Sequence, residues 1–303
     1  MNLYAPEYYN SFACIADRCR HSCCIGWEID VDEEALEKYD SSAEDYAEVV
    51  RKSIEQDDVP HFRLCEGDRC PHLRGDGLCQ MILSLGEDYL CSICREHPRF
   101  YNDTVRGREV GLGLVCEEAC RIILSSDGYR SMVDLGSVSG YTPETDGYDA
   151  VSQREAIFDI LSDRAIPYGE RLTLISNKYS VSPTSIPDER WCELLSSLEY
   201  LSEDDRRLFA SYSSPLEAPS SLEEYLERAL AYFIYRHASS AEDEPDFRAS
   251  LGLSLFLERL LCSAIASNGS SDFNAVCDTA RRLSEELEYS EENTEAIKFE
   301  FMV

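Results

Sequence analysis

From Val151 onward, the apolar positions of this chain recur at steps of three and four, the spacing that gathers side chains on one face of an α-helix. Leu222, Leu226, Ala229, Phe233 and His237 make one such face, on a helix that opens near Ser220 and Ser221. The stretch from Leu251 to Ala266 is apolar on most sides, which predicts a central buried helix. Residues 272–287 and 291–299 read as two more helices, acidic on the exposed side, and 152–162, 171–177 and 188–201 also fit. Earlier in the chain the periodicity is shorter. Residues 32–56 predict a helix capped by Asp30 or Asp32, with shorter helices over 79–90 and 116–125. The best strand candidates are 28–31 and 109–112.

A run rich in Gly, Ser, Thr and Pro from Leu135 to Gly147 separates the two patterns and reads as a linker or a long surface loop. The expected class is therefore mainly α. An irregular cysteine-rich metal-binding domain over 1–134 is followed by a linker over 135–150 and an α-helical domain over 151–303. No internal repeat or low-complexity tract is present.

Composition narrows the function classes. At 44% hydrophobic and 29% charged residues, the 303-residue chain reads as a folded, soluble protein with a sizeable core. The formal net charge of −31 sets it against nucleic-acid phosphates and anionic lipid, and suits a lysine-bearing protein partner. No apolar run approaches the roughly 20 residues of a transmembrane segment. The N-terminus lacks the basic and apolar regions of a secretory signal, so a cytoplasmic, reducing location is expected.

In such a compartment cysteines are more often metal ligands than disulfides. Eleven of the fourteen lie between Cys14 and Cys120; Cys192, Cys262 and Cys277 read as small buried hydrophobes. Three groups stand out: Cys14-x4-Cys19-x3-Cys23-Cys24, then Cys65-x4-Cys70, Cys79 and Cys91-x2-Cys94, then Cys116-x3-Cys120. Gaps of two to four residues let two sulfurs converge on one centre, and nearby Gly and Pro supply the tight turns. Arg18, Arg20, Arg69 and Arg95 lie beside them and favour thiolate. His21 and His72 are further candidate ligands; His97 reads as a turn or packing residue. The pattern points to thiolate ligation but leaves iron and zinc both open. No HExxH, Walker loop or glycine-rich dinucleotide turn occurs.

These residues carry a resemblance. Phe12-x-Cys14-x4-Cys19-x3-Cys23-Cys24-x-Gly26-Trp27, Cys70-Pro71-x-Leu73, Gly77-Leu78-Cys79, Leu85-Gly86-Glu87-x-Tyr89-Leu90 and Cys94-Arg95-x-x-Pro98-Arg99 resemble the flagellin lysine N-methylases. The likeness continues in Cys116-x-Glu118-Ala119, in Tyr232-x-x-Tyr235-Arg236-His237 and in Tyr289-Ser290-x-Glu292-Asn293. It implies a metal-ligand set of Cys14, Cys19, Cys23, Cys24, Cys70, Cys79, Cys94 and Cys116, enough for two four-ligand sites or for one cluster with supporting thiols. Cys65, Cys91 and Cys120 stand outside that set, His97 stands where an aromatic is more familiar, and Glu117 where a proline is.

The implied activity is S-adenosylmethionine-dependent methylation of lysine ε-amino groups on flagellin, with an iron–sulfur centre of the 4Fe-4S kind, zinc being the alternative. The chain lacks both the glycine-rich loop of ordinary methyltransferases and the CxxxCxxC run of standard radical enzymes. The competing expectation is a non-catalytic zinc- or iron-binding module that docks a protein partner. A redox or electron-transfer protein is a third.

Overall fold

Helices carry most of the chain in the computed structural model, which describes residues 2–137, 147–214 and 218–302. The chain divides into two compact units. One comprises Met1–Phe12, Phe100–Val115 and Ala119–Val303; the other comprises Ala13–Arg99 and Cys116–Glu118. This differs from a division at 134. The reason is strand pairing: Asn2–Pro6 runs parallel to Gly107–Leu112 and antiparallel to Met132–Ser137, in a four-stranded sheet that Arg99–Thr104 completes at the other edge. Both ends of the expected first domain are thereby drawn into the helical unit. Of the expected linker, 138–146 lies outside the described residues.

The helical unit is centred on Glu244–Asn268, which packs against Glu223–Ala238. Glu244–Asn268 is long and apolar enough to cross a membrane by length and composition, but 89% of its most apolar window is buried. It is a core helix, as its all-round hydrophobicity predicts. Asp243 caps it, accepting from the Asp246 N–H at 2.8 Å, and Gly269 in the left-handed region ends it. Trp191 lies flat on Phe256 with ring centroids 3.6 Å apart, and Phe301 leans on the same indole at 5.7 Å.

Gly252 sits where that packing is tightest. A Cβ there would lie 2.3 Å from the Phe301 ring. Alanine would gain about 1 kcal/mol of helix propensity. Displacing Phe301 from Trp191 costs more, typically about 1–3 kcal/mol for overpacking. We therefore expect Gly252→Ala to lower stability in urea, and Gly252→Ala combined with Phe301→Leu to recover part of the loss.

Several expected helices are shorter than their periodicity. The 32–56 stretch breaks into Glu33–Ser41 and Asp45–Lys52, with Ser42 and Glu44 extended between them, and then forms a short ladder of Ile54–Glu55 with His61–Phe62. The 79–90 stretch helps only over Gln80–Leu85, because Gly86 at φ 92° turns the chain into a 3-10 turn at Glu87–Tyr89. The strand expected at 28–31 is reduced to an isolated bridge at Asp30. Of the three outlying cysteines Cys262 is buried as expected, whereas Cys192 and Cys277 are half-buried.

Candidate metal centre

The thiols of the cysteine unit separate into two groups, and the division falls between two consecutive residues. The two residues sit in a turn closed by the Ile25 N–H on the Ser22 carbonyl at 3.1 Å, and their thiols are hydrogen-bonded to each other, so the groups meet there. Cys23 responds to Cys14 and Cys116, whereas Cys24 belongs with Cys70, Cys79, Cys91 and Cys94.

The second group is set in the hydrophobic core of its unit. Cys70 and Cys91 are core residues with Ile29, Val31, Tyr39, Phe62 and Met81, and Cys24, Cys79 and Cys94 pack against them. The backbone knits these loops together. The Cys70 N–H donates to the Cys24 carbonyl at 2.8 Å, and the Gln80 N–H to the His72 carbonyl at 2.8 Å. Asp32 holds two helices at once: its carboxylate accepts from the Ala35 N–H at 3.0 Å and from the Ser92 N–H at 2.6 Å. The second bond anchors the turn that carries Cys91 and Cys94.

Burial pushes the Cys70 thiol up to about 12 and raises Cys79, the latter opposed by backbone N–H groups of Ile82 and Met81. Cys91 and Cys94 are hydrogen-bonded to each other. Their mutual hydrogen bond lowers Cys91, which also faces the Cys94 N–H, and raises Cys94. Cys24 is held down at about 7, first by its bond from Cys23 and, more weakly, by Ser22 and the Arg69 charge. A metal ion held by these thiols would displace the protons that burial retains, since a ligating thiol is deprotonated.

The first group is more open. Cys14 and Cys23 are exposed, and Cys19 and Cys116 are half-buried. Glu117 ties it together: its carboxylate accepts from the Arg20 N–H and Nε, both at 2.9 Å, and lies 3.9 Å from the Cys19 sulfur. Cys19 is thus held at the turn that presents Cys116. Cys23 is raised, first by its hydrogen bond with Cys24, then by loss of water around the sulfur, then by the charges of Cys24, Cys116 and Cys14. Although the residue as a whole is exposed, its sulfur faces these thiols.

All eight cysteines expected from the resemblance lie in these two groups. Cys91, which the resemblance left aside, joins the second, and its Cys91-x2-Cys94 spacing was the available signal. Cys65 is exposed, and Cys120 is buried in the helical unit, where its thiol donates to the Cys277 carbonyl at 3.4 Å. His72 is no ligand: both ring nitrogens are engaged, with Tyr46 Oη at 3.1 Å and Ser53 Oγ at 3.0 Å. His97 is a packing residue, edge-on to Trp27 at 5.6 Å. Asp32 was legible as a helix cap and is one, accepting from the Ala35 N–H, but its hold on Ser92 and the part of Glu117 were not, because those partners are distant in sequence.

Among the described residues, the only His, Cys, Asp or Glu trio with ligand atoms mutually within 4.8 Å is Glu55, Asp57 and His61, outside both groups. The donor set of the two groups is all thiolate, which suits an iron–sulfur cluster and a structural zinc ion alike.

No family model matches the chain, and no solved structure matches it. Curated proteins do. A stretch of 128 residues, 40% of this chain, is 28% identical to a protein named lysine-N-methylase from Salmonella typhimurium, and the same holds for one of that name from Salmonella choleraesuis. The match spans 32% of those proteins, so the chain aligns with about a third of their length. A stretch of 148 residues, 45% of the chain, is 24% identical to the flagellar biosynthetic protein FliU of Salmonella muenchen and spans 85% of it.

Proposed function

Starting from this relationship to the flagellin lysine N-methylases, we propose that the chain acts in methylation of lysine ε-amino groups, on flagellin or another lysine-bearing protein, in the cytoplasm. S-adenosylmethionine, when bound, supplies the methyl group, and a thiolate-held iron–sulfur cluster is the centre that the resemblance implies transfer requires. The observation that carries the reading is the gathering of nine cysteines into two groups within one compact unit.

The chain's own residues have distinct parts in it. Cys24, Cys70, Cys79 and Cys94, with Cys91 beside them, would hold one centre inside the core of the cysteine unit, screened from water. Cys14, Cys19, Cys23 and Cys116 would hold a second, nearer the surface. Asp32 and Glu117 keep the ligand loops in place through backbone N–H groups. The net charge of −31 draws a lysine-rich partner and speeds encounter.

Protein purified without oxygen is expected to contain iron and acid-labile sulfide in equal amounts, with a broad absorption band near roughly 400 nm. Cys23→Ser and Cys94→Ser, one from each group, should each lose the metal of that group and with it methyl transfer to flagellin. Activity lost with metal fully retained would refute the assignment. Zinc in stoichiometric amount without sulfide would favour the alternative, a metal-stabilised module that docks a protein partner.

A further inference from the structure

The helical unit contains a cleft of about 870 Å³ that none of the cysteine chemistry uses. Its walls are rich in serine and threonine hydroxyls, and its charged residues are Glu170, Glu223, Glu258 and Arg259, three carboxylates against one guanidinium. Glu258 is the unusual member. It projects from the core helix Glu244–Asn268 and is only 2% exposed, yet among the described residues its one hydrogen-bond donor is Tyr168 Oη at 3.0 Å. Arg259 lies close enough to favour the charged form without pairing to it. Cys262, one turn further along the same helix, is likewise buried in the wall.

A buried carboxylate with a single neutral donor costs stability, and burial pushes Glu258 up to about 7 against the Tyr168 bond. Other buried carboxylates of this unit are treated differently. Glu227 accepts from Arg171, Arg164 and Tyr129, and Glu109 is paired with Arg154. Glu258 alone of these three is bonded to no cation and lies in the wall of a cleft, with Arg259 nearby, the placement expected of a group that receives a partner from outside.

We infer that this cleft binds an aliphatic primary ammonium group, the class to which the lysine side chain belongs, with Glu258 as its carboxylate partner and Tyr168 positioning that carboxylate. An anion would meet three carboxylates. A neutral ligand would leave three carboxylates in the cleft against the single guanidinium of Arg259. A bare divalent ion is disfavoured because Glu170, Glu223 and Glu258 do not bring their oxygens within 4.8 Å of one another. An ammonium satisfies the buried carboxylate with a charge-assisted bond and leaves two protons for the hydroxyl wall. The inference does not rest on the methylation reading, since the cleft lies within the helical unit and binding needs neither methyl donor nor metal.

The test is calorimetric titration of the full chain at pH 8 with Nα-acetyl-lysine methylamide, and with the norleucine analogue that lacks only the amine. One saturable site for the lysine compound and none for the norleucine compound is expected. Glu258→Gln keeps an acceptor for Tyr168 and should weaken binding about 10- to 100-fold, the range for one hydrogen bond to a charged group. The same variant should melt at or above the temperature of the parent, because a buried charge has been removed. Equal binding by Glu258→Gln, or by the norleucine compound, would overturn the assignment, as would no heat with either. Absence of methyl transfer with amine binding intact would count against the proposed reaction only.

Discussion

With a metal held by the thiolates as proposed, its removal is expected to unfold the cysteine unit and leave the helical unit standing. The cysteine unit has little else to hold it. Its helices are Glu33–Ser41, Asp45–Lys52, Gln80–Leu85 and Ser92–Glu96, of five to nine residues each, and its only ladder pairs two residues with two. Helices of that length are unstable alone. The core is a single cluster in which five thiols replace aliphatic side chains. For comparable thiolate sites metal binding supplies about 10–16 kcal/mol of apparent folding free energy.

The two tryptophans separate the outcomes. Trp27 belongs to the cysteine unit, and Trp191 is fully buried in the helical one. Anaerobic chelation should shift Trp27 emission to the red and leave Trp191, observed alone in Trp27→Phe, unchanged. If neither signal moves after complete metal loss, the thiolates occupy a fold that stands without them. If both move together, the units do not fold separately.

The second large effect belongs to the helical unit. Arg154 is 2% exposed and donates to both oxygens of Glu109, at 2.6 and 2.8 Å, with a third bond to Ser239 Oγ at 2.6 Å and the Tyr235 ring 4.9 Å away. The pair joins the helix Ala150–Leu161 to the strand Gly107–Leu112. Arg154→Met leaves a buried carboxylate without its cation, which costs about 3–5 kcal/mol. For a unit of this size that lowers the melting temperature by about 6–20 °C. The double variant Arg154→Met, Glu109→Leu should recover most of the loss, because desolvation of the pair offsets much of its attraction. A single variant that melts within a couple of degrees of the parent would mean that Glu109 is hydrated.

The helical half was legible because burial of one face imposes a period on the sequence. The stretch 291–299 is helical throughout, and the Leu251–Ala266 run does lie in the core. The helix expected over 272–287 changes to a π-turn at Ser284–Glu288, where Glu288 meets His237 at 2.7 Å, a partner outside any local window. The sheet was not legible, apart from 109–112, which lies within the strand Gly107–Leu112. Asn2–Pro6 is five residues long, and its partners begin more than a hundred residues away. Met132–Ser137 begins where composition suggested a linker to follow, because its later residues are exposed and lack an alternating pattern.

By itself, the sequence determined a mainly α chain with a cysteine-rich segment suited to thiolate ligation, since helical periodicity and short ligand gaps are local properties. Only the tertiary structure decided that Cys23 neighbours Cys14 and Cys116 while Cys24 neighbours Cys70 and Cys94, that Cys91 joins the latter group, and that His72 is already committed to Tyr46 and Ser53. Those outcomes depend on which loops meet. That is set by backbone hydrogen bonds and by carboxylates such as Asp32 and Glu117, whose partners lie 60 and 97 residues away along the chain.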